Sequence, residues 1–185
     1  MMIAISIFLL VVVIGMGALL NANLAHHKSA NLRSVLDNLS FTMEDMANNL
    51  RTGYSYHCIN DTSGFSDLVI PSDGNCWGIA FEYQDGNSSD PTDQWVYYVD
   101  GDGKLMKTTE APYNSLTIPN KYYQLTPNEV TLFGETSFII SGTQPNDDRQ
   151  PYVIIRLVGN IKTPRGGTTP FSLQTSVTQR FVDVP

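Results

Sequence analysis

The first twenty residues, MMIAISIFLLVVVIGMGALL, carry no charge, and this constrains the fold more than any other feature. As a helix, residues 3–20 would be roughly 27 Å long, close to the thickness of a bilayer core. A cleaved signal peptide needs a basic region in front and a small-residue cleavage site. The first basic residue here is Lys28, after the apolar run, and no clean small-residue site follows that run. We therefore expect residues 1–20 to span a membrane; a cleaved signal peptide is the stronger alternative and a buried core helix the weaker one.

The next segment repeats apolar residues every three or four positions, which predicts a helix with one apolar face. No proline occurs before Pro71, and Gly53 is suited to end a helix. Residues 21–52 can therefore continue the apolar helix without a break. We expect the apolar face to pack on a sheet formed by the rest of the chain, through Leu32, Val35, Leu36, Leu39, Met43, Met46 and Leu50.

From Thr52 onward, short apolar or alternating runs are separated by Gly, Pro, Asn and Asp, which is typical of strands and turns. Strands are expected at 77–83, 94–100, 104–109, 130–140, 152–158 and 171–180. Surface loops are expected at 84–93, 111–120, 141–151 and 162–170. A long helix followed by an antiparallel sheet is an α+β fold. The sequence thus predicts two halves of one helix, 1–20 and 21–52, and a β-rich head, 53–185.

The charge balance is acidic, with 11 Lys and Arg against 18 Asp and Glu, net −7. This argues against nucleic-acid binding through a basic patch. Cys58 and Cys76 are separated by a stretch that contains Gly64, Pro71 and Gly74, so a disulfide between them is sterically easy. Two reduced, buried thiols are the alternative. A disulfide would indicate an oxidising compartment outside the cytoplasm.

Few residues suggest chemistry. His57 precedes Cys58, but neighbours in a strand point to opposite faces, so a thiol nucleophile is not favoured. His26 and His27 make a poor metal site and are better explained as polar residues at the membrane surface. The run 100–103, Asp-Gly-Asp-Gly, lacks the carboxylate that an EF-hand needs at its twelfth position and predicts a hairpin turn. No cofactor is expected, and calcium in a loop of the head is left open without being indicated.

The apolar opening, the amphipathic run to Arg51 and the closing FSLQTSVTQRFV together resemble the type IV pilin-like family. The resemblance covers the first 52 residues and the last 15, and is closest to minor pilins and type II secretion minor pseudopilins. In that family the chain usually opens with Phe-Thr-Leu, an aliphatic residue and Glu, after a basic leader and a Gly. All of these are absent here. We expect Met1 to lie a few codons inside the full reading frame. The alternatives are that the chain has been trimmed or that it is a divergent member of the family.

The resemblance implies a structural, non-enzymatic subunit of a pilus, a secretion pseudopilus or a DNA-uptake filament. Its head would lie outside the inner membrane before assembly. Its partners would be other pilin-like subunits, the inner-membrane assembly platform and, if the leader exists, a prepilin peptidase. The helices would pack in the filament core through Ile3, Ile7, Leu10, Ile14, Gly15 and Gly17. The alternative function is a membrane-tethered binding or adhesin domain that does not polymerise.

Overall fold

The computed structural model describes residues 2–60, 71–84, 86–87, 90, 93–109, 122–144, 149–163 and 167–180. The chain divides into two compact units, residues 1–37 and residues 38–185. The first unit is helical over its described residues. The second unit contains the end of the same helix and every strand within the described residues.

Helix α1 extends without interruption from Met2 to Thr52, as the sequence predicts. Gly53 ends it: its N–H lies 3.0 Å from the Asn49 carbonyl oxygen and 3.1 Å from that of Leu50. A Cβ at Gly53 would collide with the ring of Phe81 and would lie 2.9 Å from the carbonyl oxygen of Glu82. Only glycine therefore allows the chain to turn into the sheet this close to its neighbours.

The described part of the second unit contains ten strands. In chain order they are β1 Tyr54–Ile59, β2 Gly74–Cys76, β3 Gly78–Glu82, β4 Trp95–Val99, β5 Leu105–Thr108, β6 Tyr123–Gln124, β7 Val130–Leu132, β8 Ser137–Ser141, β9 Tyr152–Lys162 and β10 Thr168–Thr178.

These strands form two antiparallel sheets rather than one. The first sheet has the order β1-β3-β4-β5-β6, and the second has the order β10-β9-β8-β2, with β7 also paired to β9. The longest pairing joins β9 and β10 over eleven residues each, from Thr168 opposite Lys162 to Thr178 opposite Tyr152. The α+β class is confirmed, with the end of α1 packed on this sheet structure.

The core lies where apolar residues of the helix and both sheets meet. Every residue of β3 is buried, because this strand lies between β1 and β4 and both its faces are covered. On β9 burial alternates: Val153, Ile155 and Leu157 are buried, whereas Arg156 is exposed. This is the two-residue period of a sheet with one covered face.

The sequence misplaced some boundaries. Strand β9 continues to Lys162 and β10 begins at Thr168, so the loop predicted at 162–170 is shorter than expected. Strands β1, β2 and β6 were not predicted, since β1 mixes polar and apolar residues and the other two have only three and two residues. The predicted loop at 111–120 lies outside the described residues, and the loop at 84–93 is described only in part.

Candidate functional site

The apolar half of α1 is exposed in the first unit. From Met2 to Leu20 every side chain faces solvent, including all six positions predicted to pack helix against helix. The polar Ser6 hydroxyl lies 3.0 Å from the carbonyl oxygens of Met2 and Ile3, so its hydrogen bond is made within the helix. Among the described residues, α1 is the helix that is long and apolar enough to cross a membrane. An apolar surface of this extent needs lipid or other helices around it.

Gly15 and Gly17 lie in this exposed segment, and a Cβ at either would meet no other atom within 4 Å. Neither glycine is therefore required by the folding of the single chain. Each instead weakens the helix by about 1 kcal/mol relative to Ala. Small residues at such positions let the backbone of a second helix approach closely in a membrane.

The predicted helix–sheet face divides between the two units. In the second unit Leu39, Met43, Met46 and Leu50 are all buried. In the first unit Leu32, Val35 and Leu36 are only partly buried. Within the second unit the apolar face of the helix is thus part of the core of the head.

Polar contacts also join the end of α1 to the strands. The Asn49 side-chain amide donates to the Tyr97 hydroxyl at 3.0 Å, and Lys107 Nζ lies 3.7 Å from the Asp45 carboxylate. The Tyr56 hydroxyl donates to the Leu50 carbonyl oxygen at 2.6 Å. Burial of the Tyr97 ring raises the pKa of its hydroxyl, and the hydrogen bond from Asn49 opposes this shift. Directional bonds therefore fix the rotation of the helix on the sheet, in addition to apolar packing.

A disulfide joins Cys58 to Cys76, with a Cα–Cα distance of 5.4 Å. This agrees with the hypothesis drawn from the sequence. Cys58 lies on β1 of the first sheet and Cys76 on β2 of the second, so the bond connects the two sheets. It also removes the thiol that a nucleophilic Cys58 would need, and the described residues include no free cysteine.

On β1, Ser55 contacts His57, and the sequence did not indicate this contact. Its φ of 53° places it in the left-handed region, at an irregularity in the β1–β3 pairing. The Ser55 hydroxyl lies 3.3 Å from Nε2 of the buried His57. This contact orients the imidazole in the core. Ser55 and His57 are two residues apart in a strand, and this spacing is too common to have predicted their contact.

The Asp-Gly-Asp-Gly run forms the predicted hairpin turn between β4 and β5. One oxygen of the Asp100 carboxylate accepts the N–H groups of Asp102 at 3.0 Å and Lys104 at 2.7 Å. Gly103 has a φ of 71°, which the turn requires. The Asp100 carboxylate thus holds the turn closed. In the described part of the chain, no group of three or more His, Cys, Asp or Glu is placed to hold a metal ion.

The tyrosines of the head divide between packing and exposure. Tyr97 is fully buried, and its ring stacks on Phe81 with centroids 5.8 Å apart. Tyr98 and Tyr122 pack edge to face at 5.3 Å. Tyr123 is exposed. Most of these side chains therefore stabilise the first sheet.

A cleft of about 430 Å³ opens beside the β4–β5 turn, between strands of the two sheets. Its aromatic lining consists of the partly buried Trp77 and the exposed Phe133. Asn75 and Ser137 contribute polar groups. This mixture of aromatic and polar side chains suits a weakly held small ligand.

Glu82 is fully buried at the end of β3, and neither carboxylate oxygen has a partner at hydrogen-bonding geometry in the described structure. Burial raises its pKa to about 7; the nearby Gln94 amide opposes the shift, and the Asp93 and Asp90 carboxylates add to it. The folded head therefore holds a proton on Glu82 at a pH where the unfolded chain has released it.

We expect the free energy of unfolding to fall as the pH rises from about 4.5 to about 7, because the folded state binds one proton more than the unfolded state across this range. The loss is on the order of 2–3 kcal/mol. Glu82→Gln should abolish this pH dependence, whereas Asp102→Asn, a change at an exposed carboxylate, should leave it. Urea unfolding of the wild type and of each variant at several pH values measures this pH dependence. A wild-type free energy of unfolding that increases from pH 4.5 to 7 would contradict the raised pKa of Glu82.

Comparison with models of known protein families, with curated proteins and with solved structures finds no match to this chain.

Proposed function

We propose that the protein is a structural, non-enzymatic subunit of a filament of the type IV pilin kind, a minor pilin or a pseudopilin. One observation carries the proposal: α1 is unbroken from an exposed apolar segment to a segment buried in the head. A tether alone needs only a membrane span, and a flexible linker would serve it. A subunit of an assembly instead has its apolar segment and the core of its head joined by one continuous helix, as in this chain.

The apolar segment has two environments in this proposal. Before assembly, lipid surrounds residues 2–20; after assembly, the same segments of other subunits do. Lipid and apolar helices are similarly apolar surroundings, so exchanging one for the other gives little hydrophobic gain. Close packing at Gly15 and Gly17 therefore has to favour the assembled state. The system served, whether pilus, secretion pseudopilus or DNA uptake, would supply the assembly platform and the peptidase as further partners.

The disulfide supports the location of the head. It forms in oxidising compartments, so a head that carries it belongs outside the cytoplasm. The protein would then cross the inner membrane once, with residues 53–185 on the outer side, before it enters the filament.

The test is cross-linking of the full chain in its membrane. Ile14→Cys places a thiol on the predicted helix-packing face, and Val12→Cys, two residues away, places one on the opposite side of the helix. We expect oxidised dimers from the Ile14 variant and few from the Val12 variant. Equal yields at both positions, or none at either, would exclude ordered packing of the helices.

A second prediction concerns the glycines. Replacing both Gly15 and Gly17 with isoleucine should leave the thermal unfolding of the head unchanged, since nothing in the single chain contacts these positions. Assembly should fall roughly tenfold or more, because bulky side chains separate the helices. Ala at both positions is the matched control and should retain most assembly. Cross-linking yield and filament counts measure the effect; a fully active isoleucine variant would contradict it.

The cleft beside the β4–β5 turn favours the second candidate, a membrane-tethered binding domain that does not polymerise. In that case Trp77→Ala should abolish ligand attachment, and the helix cross-links should be absent. A Trp77→Ala variant that loses ligand attachment, in a protein whose helix cross-links are present, would indicate a filament subunit with an adhesive head.

A further inference from the structure

Strand β10 lies at an end of its sheet. The strand order places it beyond β9, which is its one partner among the described residues. It has eleven residues, about twice the usual length of a strand, and its pairing with β9 has no break in register. A long, regular strand at a sheet edge presents a row of backbone groups to any other strand that can approach it.

The direction of these backbone groups follows from the hydrogen bonds of β9. The Lys162 N–H donates to the Glu129 carbonyl oxygen at 2.8 Å, next to β7, which pairs with β9 on the side away from β10. Even-numbered residues of β9 therefore direct their backbone groups away from β10, and odd-numbered ones direct them toward it. Because Leu173 is opposite Leu157, the odd-numbered residues of β10 bond to β9, and the even-numbered ones point outward.

The outward-pointing residues from Ser172 to Thr178 have exposed side chains. Within the described ranges, their backbone N–H and C=O groups have no hydrogen-bond partner. Pro170 occupies the same kind of position two residues earlier, and it has no N–H to offer. The edge that another strand can use therefore begins after this proline, and we call residues 172–178 the open edge.

The other ends of the two sheets, as far as the structure describes them, are protected in ways that β10 is not. Proteins prevent edge strands from pairing with other chains by making them very short, by adding charges or by introducing an irregularity. Strand β2 has three residues and β6 has two, and β1 has an irregularity between Tyr54 and His57. The open edge has neither a charged side chain nor a register shift. It is therefore suited to accept a strand.

The side chains around the open edge indicate the chemistry of that strand. Leu173 is half-buried and Val177 is buried on the covered side of the sheet, so an added strand needs apolar side chains beside them. On the uncovered side, Arg156 is exposed opposite Gln174, and Arg180 is exposed just beyond the strand. Neither arginine forms an ion pair with a carboxylate in the described part of the chain. Acidic side chains on this side of an added strand would therefore be favoured.

We propose that the open edge binds an extended segment of another protein, which joins the second sheet as an antiparallel strand and alternates acidic with apolar side chains. The described pairings of this sheet are antiparallel, and an antiparallel pair is slightly more stable than a parallel one. Strand β10 of a second copy is a poorer partner, because it would bring the like charges of its own Arg156 and Arg180 to the same edge. The pairing uses the head alone, so it goes beyond the proposed filament function and does not depend on it.

The probe is a capped peptide of about eight alternating valine and glutamate residues, a usual strand length, added to the full chain in detergent micelles. Hydrogen exchange of single backbone amides, followed by NMR, measures the pairing. The amides of Ser172, Gln174 and Ser176 should exchange quickly in the free protein and roughly tenfold more slowly with saturating peptide. Those of Leu173 and Thr175 bond to β9 and should be protected in both states. No added protection at the open edge, or equal protection by a valine–lysine peptide, would overturn the proposal.

Methylation of the peptide nitrogens separates strand addition from other modes of binding. Opposite residues that exchange hydrogen bonds in an antiparallel pair place their side chains on the same face, so the glutamates direct their N–H groups toward β10. N-methylation of the glutamates should weaken binding roughly tenfold or more. N-methylation of the valines, the matched control, should leave most of the affinity. Equal losses would contradict strand addition, and the reverse order would contradict an antiparallel strand.

A change in the open edge itself gives a second test. Ser176→Pro removes one outward N–H, and Pro170 shows that β10 accommodates proline at such a position. The proline variant should retain its thermal unfolding midpoint and bind the peptide roughly tenfold more weakly, whereas Ser176→Ala should bind like wild type. Unchanged binding by a folded proline variant would overturn the proposal. If the variant fails to fold, the comparison of methylated peptides decides the question.

Self-association is measured in the same micelles by sedimentation. Dimers that form without peptide and that Ser176→Pro dissociates would make a second copy the occupant of the open edge and would overturn the proposal. The Ile14→Cys cross-links keep this test separate from the filament function. Failure of the peptide to bind while those cross-links form overturns the added strand alone, and peptide binding without the cross-links contradicts the filament alone.

Discussion

Replacing Gly53 with valine is expected to prevent stable folding of the head. Gly53 joins α1 to β1, and any side chain there would meet the ring of Phe81 and the backbone of Glu82. Both belong to β3, which is buried along its whole length and cannot move aside. Overpacking of a core by this amount costs about 3 kcal/mol, a large part of the stability of a small domain.

The matched control is Gly134→Val, because a Cβ at Gly134 would meet no atom within 4 Å. Circular dichroism during thermal unfolding should show a large decrease in midpoint for the Gly53 variant and little change for the Gly134 variant. Equal midpoints for the two variants would mean that the junction can relax, and that the close contact between α1 and β3 is not required.

Removing the disulfide is expected to have a comparable effect. The bond closes a loop across a sequence separation of 18 residues. By the loop-entropy estimate such a bond stabilises the fold by about 3 kcal/mol. It also connects β1 of the first sheet to β2 of the second, and β2 has only three residues with which to hold its place. We therefore expect loss of the disulfide to weaken the attachment between the sheets most.

Cys58→Ala with Cys76→Ala is the variant to measure, by urea unfolding with and without a reducing agent. The wild type should lose stability when it is reduced, and the double variant should be insensitive to reduction. Protection of β2 and β8 amides from hydrogen exchange should decrease more than that of β9. A reduced wild type as stable as the oxidised protein would show that packing alone joins the sheets.

The sequence predicted the elements that have strong periodicity. The unbroken helix and its buried stripe from Leu39 to Leu50 follow from the spacing of apolar residues and from the absence of proline before Gly53. The alternation in β10 was also readable. The helix-packing role of residues 3–17 stays a prediction, since a single chain cannot show contacts between helices.

Other features depend on contacts distant in sequence. Pro170 and the threonines before it suggested a loop, yet they form the start of β10, because an edge strand tolerates a proline where the ladder does not need its N–H. The separation into two sheets depends on which strands pair, and local pattern does not determine this. The burial of Glu82 was equally hidden, since a lone glutamate at the end of an apolar strand is usually exposed.

The contacts at the end of α1 have a mechanical consequence. The Arg180 N–H donates to the Arg51 carbonyl oxygen at 2.9 Å, just beyond the last strand of the second sheet. Asn49 and Asp45 hold the same helix end to Tyr97 and Lys107 of the first sheet. Tension applied along the helix is therefore shared between both sheets, rather than borne by the single covalent link into β1. The contacts of the helix end with both sheets therefore resist a force that pulls on the head through α1.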